Sequence, residues 1–212
     1  MNFGLLAASA LAGAAYTITP GPAFLMLLGI GAAQGRSAVT RFVGGHLAGD
    51  LTWSSLALVA IIGAREIGST PFDLLGIVCG LYLGWLGLGA LRYRADRAGG
   101  IMRVARPGLR GFTFGMTNPK GYPVAVATFT ALLAGQAEAL SWTAFPALLA
   151  AAFLGFLAAD VILVLVAGAA KVRAAYQAHE TVIVRLSGLI FLGFAAAALR
   201  AAAPNLLRLL LG

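Results

Sequence analysis

Charge is scarce in this chain. Only 10% of its 212 residues are charged and just 7 are acidic, whereas soluble domains average about 25% charged residues. With 60% hydrophobic residues and a mean hydropathy of +0.92, it belongs among membrane proteins rather than water-soluble globules. One cysteine, Cys79, excludes an intrachain disulfide, a Cys-x-x-Cys redox pair and a cysteine-rich metal site. No Ser/His or zinc-ligand spacing is present, so the residues predict neither an enzyme nor a bound metal or other cofactor. The net charge of +8 is not a nucleic-acid footprint, because the basic residues cluster in loops between apolar runs, where membrane orientation explains them. No basic stretch precedes the first apolar run, so a cleaved signal peptide is not expected.

What the chain has in quantity is apolar length. Six runs, at roughly 3–33, 41–64, 72–91, 111–134, 142–169 and 183–203, are each long enough to cross a hydrocarbon core of about 30 Å as a helix. They lack the strict alternation of a membrane β-barrel. The loops after runs one, three and five carry Arg36, Arg41, Arg92, Arg94, Arg97, Arg103, Arg106, Arg110, Lys171, Arg173 and Arg185. The opposite side carries only Arg65, Arg200 and Arg208. The positive-inside rule therefore predicts a multi-pass protein with both termini extracytoplasmic.

The sequence also repeats. Gly45-His46-Leu47-Ala48-Gly49-Asp50 returns 110 positions later as Gly155-Phe156-Leu157-Ala158-Ala159-Asp160. Gly80-Leu81 leads to Ala90-Leu91-Arg92, and 108 positions later Gly188-Leu189 leads to Ala198-Leu199-Arg200. Runs one and four each contain a proline break, Thr19-Pro20-Gly21-Pro22 and Asn118-Pro119-Lys120. Three helices per copy is an odd number, so the second copy enters the membrane upside down. The expected fold is all-α: six transmembrane helices as two inverted three-helix repeats, 1–92 and 111–212, joined by a basic linker, 93–110, with helices one and four broken.

The breaks and the aspartates are the residues that can carry chemistry. Pro20 and Pro22 lack amide donors, so a regular helix cannot continue through them. Backbone freed at that depth must line a cavity or find protein partners. A half-helix starting near Pro22 would turn its amides on an anion such as a substrate carboxylate. Lys120 is expected near mid-depth, where it requires an anionic partner unless its stem snorkels to the surface; Asp50, Asp160 and a substrate carboxylate are the alternatives. Asp50 and Asp160 are the expected proton-coupling groups, because an intramembrane carboxylate that opens alternately to each side can bind and release a proton. His46, one turn before Asp50 on the same face, suits either a proton relay or a simple hydrogen bond to Asp50. Gly-x-x-x-Gly spacings at Gly31/Gly35, Gly45/Gly49, Gly76/Gly80/Gly84 and Gly111/Gly115 predict close helix packing within the chain, and the same spacing suits a homodimer interface. Cys79 reads as a small packing residue.

On these residues the chain resembles the lysine exporter/homoserine–threonine resistance (LysE/RhtB) family of amino-acid exporters. The resemblance rests on Thr19 to Pro22, Gly45 to Asp50, Gly80-Leu81-Tyr82-Leu83-Gly84-Trp85-Leu86-Gly87, Thr117-Asn118-Pro119-Lys120 and Asp160. It implies a bacterial inner-membrane protein that exports a small amino acid or related zwitterion, driven by the proton gradient. The two breaks supply the expected substrate-binding residues: Thr19, Pro20, Gly21, Pro22, Asn118, Pro119 and Lys120. Ala23 stands where members often have Asn, and Pro123, inside Gly121-Tyr122-Pro123, should widen the second break. The alternatives are a metal-ion exporter on the same scaffold, for which two aspartates and one histidine at depth make a poor soft-metal site, and a non-transporting membrane subunit.

Overall fold

A computed structural model of the chain describes residues 3–19, 21–67, 70–94, 103–118 and 120–211. Pro20, Pro119 and the linker residues 95–102 lie outside the described residues. Among those described, the regular structure is helical throughout: α1 (Phe3–Ile18), α2 (Pro22–Gln34), α3 (Arg36–Ile67), α4 (Thr70–Leu91), α5 (Pro107–Met116), α6 (Gly121–Leu133), α7 (Phe145–Ala167) and α8 (Ala170–Leu211), with a short 3₁₀ turn at Ala134–Ala139. Helices are what lipid demands, since every backbone group must be satisfied within its own segment.

Four helical stretches are long and apolar enough to cross a membrane: Arg36–Ala64, Asp73–Leu91, Phe145–Ala167 and Ala178–Arg200. The pair α1 and α2, bent by 62°, makes a fifth if counted as one broken span. The expected first run is thus two helices, with Pro22 opening α2, where a missing amide costs nothing. Gly35, the only described residue with positive φ (78°), ends α2. The expected fourth run begins earlier than Gly111, because Pro107 starts α5. Its second half, α6, has 13 residues, about 20 Å, too short to cross alone. Pro123 does not widen the second break: it sits in the first turn of α6, where proline is tolerated. The last helix starts at Ala170, well before the expected span, and bends at His179.

The most extensive pairings are α1 with α7, α3 with α5, and α4 with α8. Two of these crossings are built alike. A Cβ at Gly13 would overlap the carbonyl of Ala152, and one at Gly155 the carbonyl of Ala10. In the other crossing, a Cβ at Gly111 would overlap the carbonyl of Phe42, and one at Gly45 the carbonyl of Gly108. Ala10 and Gly13 stand 98 positions before Gly108 and Gly111, while Phe42 and Gly45 stand 110 before Ala152 and Gly155. The backbones approach this closely only because no side chain intervenes. Gly35 and Gly76, expected in packing motifs, meet nothing within 4 Å. Gly80 lies against Ala198 and Leu199, and Cys79 is buried with Ala60 and Tyr122.

Two of the four buried apolar clusters among the described residues flank the middle of the bundle. One gathers Leu5, Ala12, Tyr16, Leu58, Val124, Phe129, Leu148 and Phe156 from α1, α3, α6 and α7. The other gathers Leu27, Leu28, Ile30, Val39, Phe42, Val43, Leu163 and Ala167 from α2, α3 and α7.

Candidate functional site

A small polar cavity lies where these clusters meet. Tyr16, from the first, and Leu27, Phe42, Val43 and Leu163, from the second, form apolar walls. The polar lining is Thr17, His46, Asp50, Lys120 and Asp160. The cavity measures about 30 Å³, enough for about two waters and too small for an amino acid. Asp50, Lys120 and Asp160 are 2%, 4% and 8% exposed. Three of the chain's few charges thus converge inside apolar walls, although they come from α3, the second break and α7.

The breaks explain how Lys120 is held. The Tyr16 carbonyl would ordinarily accept from the amide four residues on, but that residue is Pro20, which has none to offer. The Lys120 Nζ donates to the carbonyls of Tyr16, at 3.3 Å, and Thr19. It also lies 5.5 Å from the centroid of the Tyr16 ring, within cation–π range. Its stem covers Gly21, where a Cβ would meet Lys120 Cε at 3.1 Å. The expected carboxylate partner is therefore not in direct contact: no described carboxylate lies within 4.0 Å of Nζ. The negative end of α1 takes that place. Asp50 and Asp160 line the same cavity as Lys120.

A second set of contacts ties Asp50 to the other break. His46 Nδ1 lies 3.0 Å and 3.1 Å from the two carboxylate oxygens of Asp50. His46 Nε2 faces Asn118 Nδ2 at 3.5 Å, and Asn118 Oδ1 accepts from the Lys120 amide at 3.3 Å. With Nε2 accepting from Asn118, the ring proton belongs on Nδ1, which donates to Asp50. Phe42 and Phe114 flank the ring at centroid distances of 6.0 Å and 6.4 Å. Asp160 differs. Its Oδ2 is buried without a hydrogen-bond partner among the described residues, as are the Tyr16 hydroxyl and Thr17 Oγ1.

Of the residues expected to act, the fold brings together Thr19, Gly21, His46, Asp50, Asn118, Lys120 and Asp160, with Pro22 at the start of α2 beside them. Pro20 and Pro119 lie outside the described residues. Sequence reasoning missed Tyr16, which gives Lys120 both a carbonyl and a ring face. It also missed Trp53, whose Nε1 donates to the Gly115 carbonyl at 2.9 Å and whose ring packs over Gly121. Both were findable from spacing: Tyr16 sits a turn before the first break and Trp53 a turn after Asp50.

Broken helices whose ends surround buried charges define a class, the multi-pass membrane transporters. The family model for LysE type translocators matches residues 14–202, and the chain belongs to that family. No curated protein and no solved structure matches it.

Proposed function

We propose that the protein is a proton-coupled secondary exporter of a small amino acid or related zwitterion, working by alternating access. The observation that carries this reading is the convergence of Asp50, Asp160 and Lys120 on one buried cavity between two apolar clusters. A zwitterion offers a carboxylate for Lys120 and the free amides opening α2, and an ammonium for Asp50. To admit it, the cavity must grow and Lys120 must exchange the Tyr16 and Thr19 carbonyls for the substrate. Asp160, with Oδ2 unpartnered, is the better placed proton carrier; Asp50 is held by His46. Each apolar cluster then acts as the gate to one side.

The proposed frame is six spans in two inverted repeats, 1–92 and 111–212, about a linker, 93–110. The matched crossings of α1 with α7 and α3 with α5 support it, because exchanging spans one with four and two with five maps one crossing onto the other. Membership of the family suggests an inner-membrane location, and the arginine distribution supports extracytoplasmic termini. The test is counterflow of labelled amino acids into proteoliposomes, followed by uptake under an imposed pH gradient. Counterflow of a zwitterion that an imposed pH gradient accelerates is the expected result. Transport of no zwitterion across a full amino-acid panel would remove this reading.

A further inference from the structure

A second site lies away from the central cavity, beside the start of α5. There Arg103, Arg106 and Arg110 border a groove of about 530 Å³. No described carboxylate lies within 4.0 Å of any of the three. The segment carrying them is pinned. Val104 donates its amide to Gln34 Oε1 at 2.8 Å and accepts from Gln34 Nε2 at 3.1 Å, and its side chain packs on the cluster containing Leu27 and Leu28. Arg106 caps α5 with no side-chain bond to its first turn, so the positive end of the helix adds to the arginines. A positive-inside bias requires only that basic residues lie on one side of the membrane. It does not require three of them on one groove, fixed by a paired hydrogen bond and with no acid among the described residues within 4.0 Å.

The groove is also partly apolar. Met26 forms one wall and Leu109 another, and Leu109 and Phe112 on α5 are 54% and 45% exposed. Guanidinium groups match phosphate oxygens in bidentate pairs, and a free phosphate gains nothing from apolar neighbours. We propose that Arg103, Arg106 and Arg110 bind the phosphate of an anionic phospholipid, whose acyl chains run along the exposed apolar side of α5. Because Gln34 and Val104 hold the segment in place, less ordering is required on binding.

Lipid titration of the full-length protein in detergent, read by native mass spectrometry, tests this. The parent should bind phosphatidylglycerol at least tenfold more tightly than phosphatidylcholine. Arg103→Gln/Arg106→Gln/Arg110→Gln should lose at least tenfold in phosphatidylglycerol affinity and none for phosphatidylcholine. Arg92→Gln/Arg94→Gln, which removes exposed charge at the start of the linker but not from the groove, should keep the preference. Equal affinity of the parent for both lipids overturns the proposal, as does an equal loss in the two variants, which would mean diffuse surface charge. Displacement of phosphatidylglycerol by millimolar inorganic phosphate also overturns it, in favour of a soluble anion. Should the triple variant unfold, the parent's lipid preference and the phosphate competition still decide.

Discussion

Lys120 reaches across from the second break and donates hydrogen bonds to the carbonyls of Tyr16 and Thr19 at the first. One side chain thereby closes a helix end that the proline-bearing segment after it leaves short of amides, and stands where a substrate carboxylate would arrive. Its two roles separate experimentally. Lys120→Met should lower thermal stability, since it orphans buried carbonyls at about 1–3 kcal/mol. It should also weaken substrate binding by at least tenfold, because removing a cation from a desolvated pair costs on the order of 2–5 kcal/mol. The substrate's carboxamide analogue should bind the parent poorly and lose little more in Lys120→Met, the signature of a coupled pair. Lys120→Arg should also impair binding, as a guanidinium is larger and differently shaped. Unchanged substrate affinity in Lys120→Met, alongside a lower melting temperature, would make the residue structural only.

The matched helix crossings predict matched costs. Gly13→Val and Gly111→Val each drive a side chain into a facing carbonyl, of Ala152 and Phe42 respectively. Each should destabilise the detergent-solubilised protein by about 1–3 kcal/mol, the usual cost of overpacking. Gly76→Ala, with nothing within 4 Å, should be neutral or slightly stabilising, because alanine favours helix. A Gly13→Val variant as stable as the parent would mean that the α1–α7 crossing is looser than its mate.

Much of this site was legible in the sequence because intramembrane charge is so rare. Asp50, Asp160 and Lys120 stand out in apolar runs, and the prolines mark the breaks. What the sequence did not disclose was how Lys120 is satisfied. A lysine at depth invites a search for an acid, yet backbone carbonyls beside a proline break serve as well, and no residue letter announces them. The crossing of α1 and α7 was hidden for a related reason. Gly13 sits in no Gly-x-x-x-Gly spacing, and Ala152 and Ala10, which face Gly13 and Gly155 respectively, are ordinary in alanine-rich helices. Conversely, Gly31/Gly35 looked like a packing motif, but only Gly31 packs, against Ala167, while Gly35 turns the chain. Spacing reports which residues share a helix face; it cannot tell a crossing from a cap.

Orientation is open to a direct measurement. The arginine-rich loops lie opposite both termini in the six-span reading, so a periplasm-active reporter fused after Gly212 should be active and a cytoplasm-active one silent. The reverse pattern would invert the topology and put Arg103, Arg106 and Arg110 on the extracytoplasmic side.

The two aspartates should fail differently when neutralised. Asp160→Asn keeps the size and much of the hydrogen bonding of the side chain but cannot release a proton. Its Oδ2 has no hydrogen-bond partner to lose among the described residues, so folding and substrate counterflow should persist while pH-gradient-driven uptake into inverted vesicles disappears. Asp50→Asn replaces one of the two carboxylate oxygens facing His46 Nδ1 with an NH2 donor and leaves only a neutral acceptor, which disturbs His46 and, through it, Asn118 in the second break. It should impair counterflow as well as coupling. His46→Gln tells whether that extra loss passes through the ring, because it leaves the Asp50 carboxylate in place: a variant that couples normally but exchanges substrate slowly would assign His46 to positioning. Persistence of gradient-driven uptake in Asp50→Asn, Asp160→Asn and the double variant would show that neither carboxylate couples transport, and the proton would then have to travel by another route or not at all.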